Sequence, residues 1–172
     1  TSMSKGLVHF VHGKESGPNG SKITALTEVA RQHGWDIASL DYSHTADPAL
    51  RLEQLRKACR DLDQPLLLVE PSLGGWVAAE ASVRPDAYGL FMIAPALFMP
   101  DYPVPAPAIL AYQAEIVHAW DDAVILCENS IRFARLRGCN LHLVPGDHRL
   151  ETRIPLLCEL FGAFLARCGA AG

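Results

Sequence analysis

One serine stands where an apolar run gives way to glycines and small residues. The run covers residues 66–71 and, apart from Glu70, favours a β-strand; Ser72 ends it, and Gly74 and Gly75 lead into a pattern typical of a helix. A strand, a one-residue corner and a helix raise a serine hydroxyl above the edge of a sheet, and a glycine two residues later lets the helix pack close to the strand. Ser72 is therefore a candidate nucleophile.

Three other predicted strands also end in polar residues that suit this chemistry. The first strand ends at His12, the fifth ends at His118 shortly before Asp121 and Asp122, and the sixth leads into a turn that holds His148. Parallel strands present their functional groups at the carboxyl ends, along one edge of the sheet. We therefore expect these side chains and Ser72 to meet.

The chemistry explains why these residue types are needed together. A serine hydroxyl is a poor nucleophile at neutral pH, so an imidazole must take its proton during the attack and return it to the leaving group. A carboxylate must hold the imidazole in the right tautomer and stabilise its cation. We assign Ser72 as the nucleophile, His148 as the base and acid, and Asp122 as the carboxylate, with Asp121 as the alternative.

The oxyanion formed in such a reaction needs two donors, which backbone amides can supply. The candidates are the N–H groups of Leu73, at the N-terminus of the predicted helix, and of Lys14, in a loop that His12 would hold in place. Apolar residues beside the predicted loops indicate either a substrate pocket or ordinary loop packing, and both interpretations stay open. The pocket candidates are His12, Phe98, Met99, Tyr102 and Trp120.

Runs with strand character alternate with runs of helical periodicity along the chain. Strands are predicted at 6–11, 35–40, 65–70, 88–94, 115–118 and 139–144. Helices are predicted at 22–33, from 48 with an apolar stripe to 62, from the serine corner to about 83, near 108–112, near 123–136 and from 150 to 168. Ser21 and Asp47 are the predicted N-caps. The alternation predicts an α/β protein with a six-stranded parallel sheet between two helical layers, a three-layer α/β/α sandwich.

The composition is that of an ordinary globular domain. The 172 residues are 49% hydrophobic and 20% charged, and a net charge of -4 gives no reason to expect a nucleic acid or an anionic membrane as partner. No apolar run reaches the roughly 18 residues of a membrane span, and we see no signal peptide. Five scattered cysteines without a C-x-x-C pair indicate reduced thiols and a cytoplasmic protein. We expect one domain over residues 1–172, with 1–5 disordered or left over from cloning.

Neither a metal nor an organic cofactor is expected. His12, His118 and His148 lack the H-x-H spacing that would support a zinc site. The glycines of residues 12–20 match neither the G-x-G-x-x-G pattern nor the phosphate-binding P-loop with its lysine. The expected partner is therefore a small-molecule substrate.

The chain resembles the small capless α/β-hydrolases, which include short serine esterases and acyl-thioesterases. Four segments carry the resemblance in matching order: 12–17, 72–76, 118–122 and 147–149. The resemblance covers nearly the whole chain and implies a minimal α/β-hydrolase fold with strand order second, first, third, fourth, fifth, sixth. It also implies cleavage of carboxylic esters or thioesters through an acyl-enzyme. The family's acid lies four residues after the histidine that ends the strand, which favours Asp122.

Two residues depart from the family pattern. Glu70 replaces the first glycine of G-x-S-x-G, and Ala119 replaces the glycine that usually follows the strand-ending histidine. We hypothesise that Glu70 pairs with a cation such as Lys14 or tunes His148. The substitution also leaves a second class of function open, a catalytically degraded hydrolase-fold protein that binds a partner. A lyase or perhydrolase that uses the same three residues is a third interpretation.

Overall fold

The computed structural model describes residues 3–13, 20–82 and 87–171, with side chains at all of these except 73, 74, 170 and 171. The strands are β1 (Leu7–Phe10), β2 (Asp36–Ser39), β3 (Leu66–Pro71), β4 (Ala87–Ile93), β5 (Gln113–Ala119) and β6 (Asn140–Val144). The helices are α1 (Ser21–Gln32), α2 (Pro48–Ala58), α3 (Leu73–Ala81), α4 (Cys127–Arg137) and α5 (Ile154–Ala171), with a 3₁₀ turn at Glu151–Arg153.

The six strands form one sheet in the order β2-β1-β3-β4-β5-β6, and every neighbouring pair is parallel. This is the strand order that the resemblance implied. Each crossover passes over one face of the sheet, so the carboxyl ends of all strands lie along a single edge. The predicted fold class is confirmed.

Two apolar clusters hold the helices against the two faces of the sheet. On β3, Leu67 and Val69 pack with α1 and α5, while Leu66 and Leu68 pack with α2, α3 and α4. Both sets of side chains are almost fully buried, as expected for a central parallel strand that is covered on both faces. The α/β/α sandwich therefore follows from the alternation of side chains along continuous apolar strands.

The two predicted N-caps have different outcomes. Asp47 caps α2, since its carboxylate accepts a hydrogen bond from the backbone N–H of Ala49 at 2.9 Å and Pro48 occupies the first turn. Ser21 is not the cap of α1, because the helix begins at Ser21 and Gly20 takes the N-cap position. The Ser21 hydroxyl instead donates to Glu151 at 2.7 Å and ties α1 to the segment before α5.

One predicted helix is absent, and another begins later than predicted. Residues 108–112 form no helix: Ile109 and Ala111 are partly buried against the core while Leu110 and Tyr112 are exposed, and this alternation with a period of two suits an extended chain and not a helix. The chain before them is held by Arg137, which donates to the carbonyls of Ala106 and Pro107. The helix expected from 123 begins only at Cys127, because Asp122 engages the intervening backbone in a turn.

Two further predictions reach beyond the described residues. The helix after Ser72 ends at Ala81, earlier than the predicted 83, and residues 83–86 lie outside the described part of the chain. Residues 1 and 2 of the predicted disordered terminus also lie outside it, while the backbone N–H of Lys5 donates to Gly34 at 3.0 Å. No helix in the described ranges is long and apolar enough to cross a membrane.

Candidate active site

Ser72 forms a tight corner between β3 and α3. Its φ of 52° and ψ of −118° are unfavourable for a residue with a side chain, and such a conformation costs about 1–3 kcal/mol. Its N–H donates to the carbonyl of Ile93 at 2.8 Å, and its carbonyl accepts from the N–H groups of Gly75 and Ala96, both at 2.9 Å. The end of β4 therefore holds the strained corner in place on both sides.

Gly75 allows the start of α3 to lie directly against the end of β4. A Cβ atom at this position would lie 2.4 Å from the Cβ of Pro95 and 2.8 Å from its Cα, closer than such atoms approach in proteins. The sequence analysis attributed close packing to the first glycine after the corner, Gly74, whose surroundings lie outside what the structure describes. In the described structure it is Gly75, the second glycine after the corner, whose position has no room for a side chain.

The structure brings Ser72, His148 and Asp122 into one chain of hydrogen bonds. His148 follows β6, and its Nε2 lies 3.1 Å from the Oγ of Ser72, while its Nδ1 lies 2.7 Å from Oδ2 of Asp122. Because an ionised carboxylate only accepts, Nδ1 carries the proton and Nε2 is left to accept from the serine hydroxyl. This is the tautomer that proton removal from Ser72 requires.

Asp122, and not Asp121, is the carboxylate that contacts His148. The side chain of Asp122 is fully buried, and its Oδ1 accepts from the backbone N–H groups of Val124 at 2.9 Å and Ile125 at 2.8 Å. Asp121 is exposed, and its backbone N–H donates to Gly146. The turn that delays α4 thus serves to orient the Asp122 carboxylate toward His148.

A second histidine lies against the same carboxylate. His118 is fully buried, and its Nε2 lies 3.0 Å from Oδ2 of Asp122. Its Nδ1 lies 2.6 Å from the hydroxyl of Ser130 on α4. The sequence analysis placed His118 at the end of a strand but gave it no contact with Asp122, and it did not single out Ser130. The spacing of four residues between His118 and Asp122 was the available signal.

The contacts of His12 fit its predicted role in holding the loop after β1. His12 is almost fully buried; its Nδ1 donates to the carbonyl of Gly13 at 2.9 Å, and its Nε2 accepts from the backbone N–H of Tyr42 at 2.8 Å. The guanidinium of Arg51, on α2, donates to the carbonyl of His12 at 2.9 Å. Lys14, the predicted second oxyanion donor, lies outside the described residues, whereas Leu73 is the first residue of α3.

Glu70 is fully buried two residues before the serine corner. Alternation along β3 points its side chain to the face that α2 covers, and neither carboxyl oxygen has a hydrogen-bond partner within the described ranges. Burial raises its pKa well above the usual range, while the charge of Arg51 opposes that rise. Arg51 is therefore the cation that acts on Glu70; the pairing hypothesised with Lys14 lies outside the described residues.

A cavity of about 540 Å³ opens beside Ser72 and His148. Its walls come from the N-terminal turn of α1 and from the loops that follow β1, β5 and β6. The lining residues are Gly13, Gly20, Ser21, Lys22, Ile23, Pro71, Ser72, Asp121, Ala123, Val124, Asp147, His148, Arg149 and Glu151. The sequence analysis did not foresee the contribution of α1, because nothing in its helical periodicity indicates which end faces the serine.

The five predicted pocket residues are not among those that line this cavity. Phe98 packs edge-on against Phe133, and Tyr102 packs in the same way against Trp76. His12 is buried beneath its loop, Met99 is partly exposed, and Trp120 is 56% exposed. For Phe98 and Tyr102 these contacts are the loop packing that the sequence analysis left open as the alternative. No group of three or more described His, Cys, Asp or Glu residues is arranged to hold a metal ion.

The fold is that of an α/β-hydrolase, and comparisons with known proteins agree. A protein assigned to the α/β-hydrolase superfamily from Xanthomonas campestris pv. campestris is 33% identical, with a TM-score of 0.88 over 96% of this chain and 99% of that one. Residues 7–105, more than half of the chain, match the uncharacterised protein family UPF0227. The chain belongs to this family.

More distant solved structures share the fold. Est1E from Butyrivibrio proteoclasticus is 17% identical, with a TM-score of 0.80 over 98% of this chain and 90% of that one. An α/β serine hydrolase homologue from Coxiella burnetii is 16% identical, with a TM-score of 0.75 over 94% and 86% of the two chains. Among curated proteins, none matches the chain.

Proposed function

We propose that the protein is a serine hydrolase that cleaves carboxylic esters or thioesters. The observation that carries this proposal is the continuous contact from Ser72 Oγ to His148 at 3.1 Å and from His148 to Asp122 at 2.7 Å, at the mouth of a cavity. A serine that merely capped a helix would need no imidazole at its hydroxyl and no buried carboxylate behind that imidazole.

The first half of the proposed reaction forms an acyl-enzyme. Ser72 Oγ attacks the carbonyl carbon as its proton passes to Nε2 of His148, and the carbonyl electron pair moves to the oxygen. The backbone N–H of Leu73, at the start of α3, is the proposed donor to this oxyanion, and that of Lys14 is the second. When the electron pair returns, the bond to the leaving alcohol or thiol breaks, and His148 delivers the proton to it.

The second half uses water in place of the serine hydroxyl. His148 takes a proton from the water as the water oxygen bonds to the acyl carbon. When the new oxyanion collapses, the bond from the acyl carbon to Ser72 Oγ breaks, and His148 returns the proton to Ser72 Oγ. The carboxylic acid leaves and the enzyme is restored. Asp122 stays ionised throughout and stabilises the imidazolium of His148 in both halves. Because His148 must be neutral to accept a proton, the rate should fall as the pH is lowered.

The location of the protein is also a proposal. None of the five cysteines forms a disulfide, and their positions are scattered through the fold. This arrangement fits a reducing compartment, so we propose the cytoplasm.

The experiment is hydrolysis of a p-nitrophenyl ester series of increasing acyl length and of an acyl-thioester. A ferulate ester joins the panel because ferulic acid is bound to Est1E in one structure of that protein. Ser72→Ala should lower turnover by at least about 10³-fold, while Ser43→Ala, at an exposed serine that lines no part of the cavity, should leave it unchanged. Turnover in Ser72→Ala equal to that of the wild type would overturn the proposal. No turnover in either protein would favour the alternative, a catalytically degraded hydrolase-fold protein that binds a partner.

A further inference from the structure

His118 is a buried histidine whose two ring nitrogens both make contacts. Its Nε2 lies 2.8 Å from the carbonyl oxygen of Ile125 and 3.0 Å from Oδ2 of Asp122. Both of these atoms can only accept, so Nε2 carries a proton and shares it between them. Its Nδ1, 2.6 Å from the hydroxyl of Ser130, is then free to accept from that hydroxyl.

The Asp122 carboxylate consequently has four donors. Oδ1 accepts from the backbone N–H groups of Val124 and Ile125, and Oδ2 accepts from His118 and from His148. A carboxylate offers about four acceptor positions, so those of Asp122 are filled. The two imidazoles donate to the same oxygen atom. Because the hydrogen bond from His118 stabilises the charged carboxylate, it makes that oxygen a weaker acceptor for His148.

We infer that His118 is a positioning residue for the reaction, which holds Asp122 through their shared oxygen and sets how strongly that carboxylate stabilises protonated His148. This inference rests on the proposed function, because it assigns His118 a role behind the base of that mechanism. His118 acts at the end of β5, while Val124 and Ile125 act from the following turn, so the carboxylate is fixed from two directions. The fourth acceptor position of the Asp122 carboxylate is the one that His148 occupies.

The inference predicts a direction for the change in pH dependence. When the His118 donor is lost, Oδ2 accepts from His148 alone and stabilises its protonated form more strongly. The neutral base then forms only at higher pH, and the midpoint of the rise in rate moves upward. The carboxylate also loses one of its supports, so turnover at the plateau should fall as its aim at His148 loosens.

Other ionisable groups lie near His148 and Asp122 and stay the same in every variant. On the cavity wall beside His148 these are Lys22, Asp121, Asp147, Arg149 and Glu151, and Cys127 lies near Asp122 at the start of α4. Since none of these groups is changed, a shift in the pH midpoint of His148 that depends on His118 reports the effect of His118 through Asp122.

The test compares His118→Leu, which removes the donor, with His118→Gln, whose side-chain amide can place an N–H near the position of Nε2. His9→Leu is the matched control, because His9 is another almost fully buried histidine, on β1, with its Nε2 at the hydroxyl of Tyr42. The pH midpoint of His148 is measured by NMR titration of its imidazole in the Ser72→Ala background, which needs no turnover. Turnover against pH is then measured with Ser72 intact.

We expect His118→Leu to move the His148 midpoint upward by as much as about one pH unit and to lower kcat by roughly tenfold to a hundredfold. His118→Gln should recover most of both effects, and His9→Leu should cause neither. An unchanged or lowered NMR midpoint in folded His118→Leu, or in folded His118→Asn if the leucine variant does not fold, would overturn the inference. That result is independent of ester turnover, so it is separate from a failure of the proposed function.

Discussion

His148 occupies the central place among the side chains, because it contacts an oxygen atom on each side. Ser72 lies at one ring nitrogen and Asp122 at the other, and each of the three comes from a different loop. A rotation of any one of these side chains would break the chain of hydrogen bonds. The residues that hold the three side chains in place are therefore as important as the three themselves. Asp122 shows this best, since backbone amides and His118 hold it without any contact with solvent.

Asp122→Asn tests which of the two neighbouring aspartates supports His148. An amide at this position can donate to Nδ1 and so favours the wrong tautomer, which costs about 10⁴-fold in kcat in serine proteases with the same three residues. We expect a loss of that order in steady-state turnover, with KM little changed. Asp121→Asn, at the exposed neighbour on the cavity wall, should stay within a few-fold of wild type. The reverse ranking would contradict the assignment.

Glu70 should make the stability of the protein depend on pH. Burial raises its pKa, so the folded state binds the proton more tightly than the unfolded state. Its contribution to stability is complete below about pH 4, where both states are protonated, and is lost as the pH rises through the raised pKa. Glu70→Gln has no charge to bury and should remove this decline, so it should be the more stable protein at neutral pH.

Urea unfolding from pH 5 to pH 9 measures the effect. Glu115→Gln is the matched control, because Glu115 is also buried but pairs with Arg167 and lies near His142. That variant should lose stability at neutral pH, opposite in sign to Glu70→Gln. Equal pH slopes for wild type and Glu70→Gln would show that Glu70 does not carry the buried charge.

At the scale of elements, the corner between β3 and α3 depends on the end of β4. Ser72 adopts a strained backbone conformation, and Ile93, Pro95 and Ala96 contact the corner through hydrogen bonds and close packing. Residues at and just after the end of β4 therefore help to balance the strain, in addition to the hydrogen bond from Gly75 within the corner. A change that separates α3 from β4 should therefore displace Ser72 even though it does not touch the Ser72 side chain.

Gly75→Ala makes this change with a single methyl group. The added Cβ would lie 2.4 Å from that of Pro95, so the helix or the strand must move. We expect a loss of about 1–3 kcal/mol in the free energy of unfolding, together with reduced turnover. Gly138→Ala is the control: its φ of 75° makes a side chain costly, but no atom lies within 4 Å of the added Cβ. It should lower stability and leave turnover intact, and equal turnover losses in both variants would contradict the argument.

The elements also show where sequence reasoning succeeds and where it fails. The apolar strands and the Asp47 cap follow from local patterns, and the structure confirms them. The late start of α4 was missed because helical periodicity does not register that the Asp122 carboxylate accepts from the backbone N–H groups of Val124 and Ile125 and holds them in a turn. The absence of a helix at 108–112 was not visible in the local sequence either, because Ile109 and Ala111 pack against a core whose other members are distant in sequence.

At the scale of the whole molecule, the site is a product of the parallel sheet. The ends of β1, β3, β5 and β6 lie along one edge, and the loops after them supply Gly13, Ser72, Asp122 and His148. The order of strands was available from the resemblance, and with it the meeting of serine, aspartate and histidine. The shape of the cavity beside Ser72 was not available from it, since the cavity walls include the start of α1 and the 3₁₀ turn before α5, and the position of both relative to Ser72 depends on how the layers pack.

The measurement that tests the central claim most directly is reaction with a fluorophosphonate probe, followed by mass spectrometry of the digested protein. The probe bonds covalently to a serine only when that serine is activated as a nucleophile, and it does not require the natural substrate. The account predicts one adduct, on the peptide that contains Ser72, with no labelling of Ser72→Ala and greatly slowed labelling of His148→Ala. Unlabelled wild-type protein, or an adduct on another serine, would contradict it.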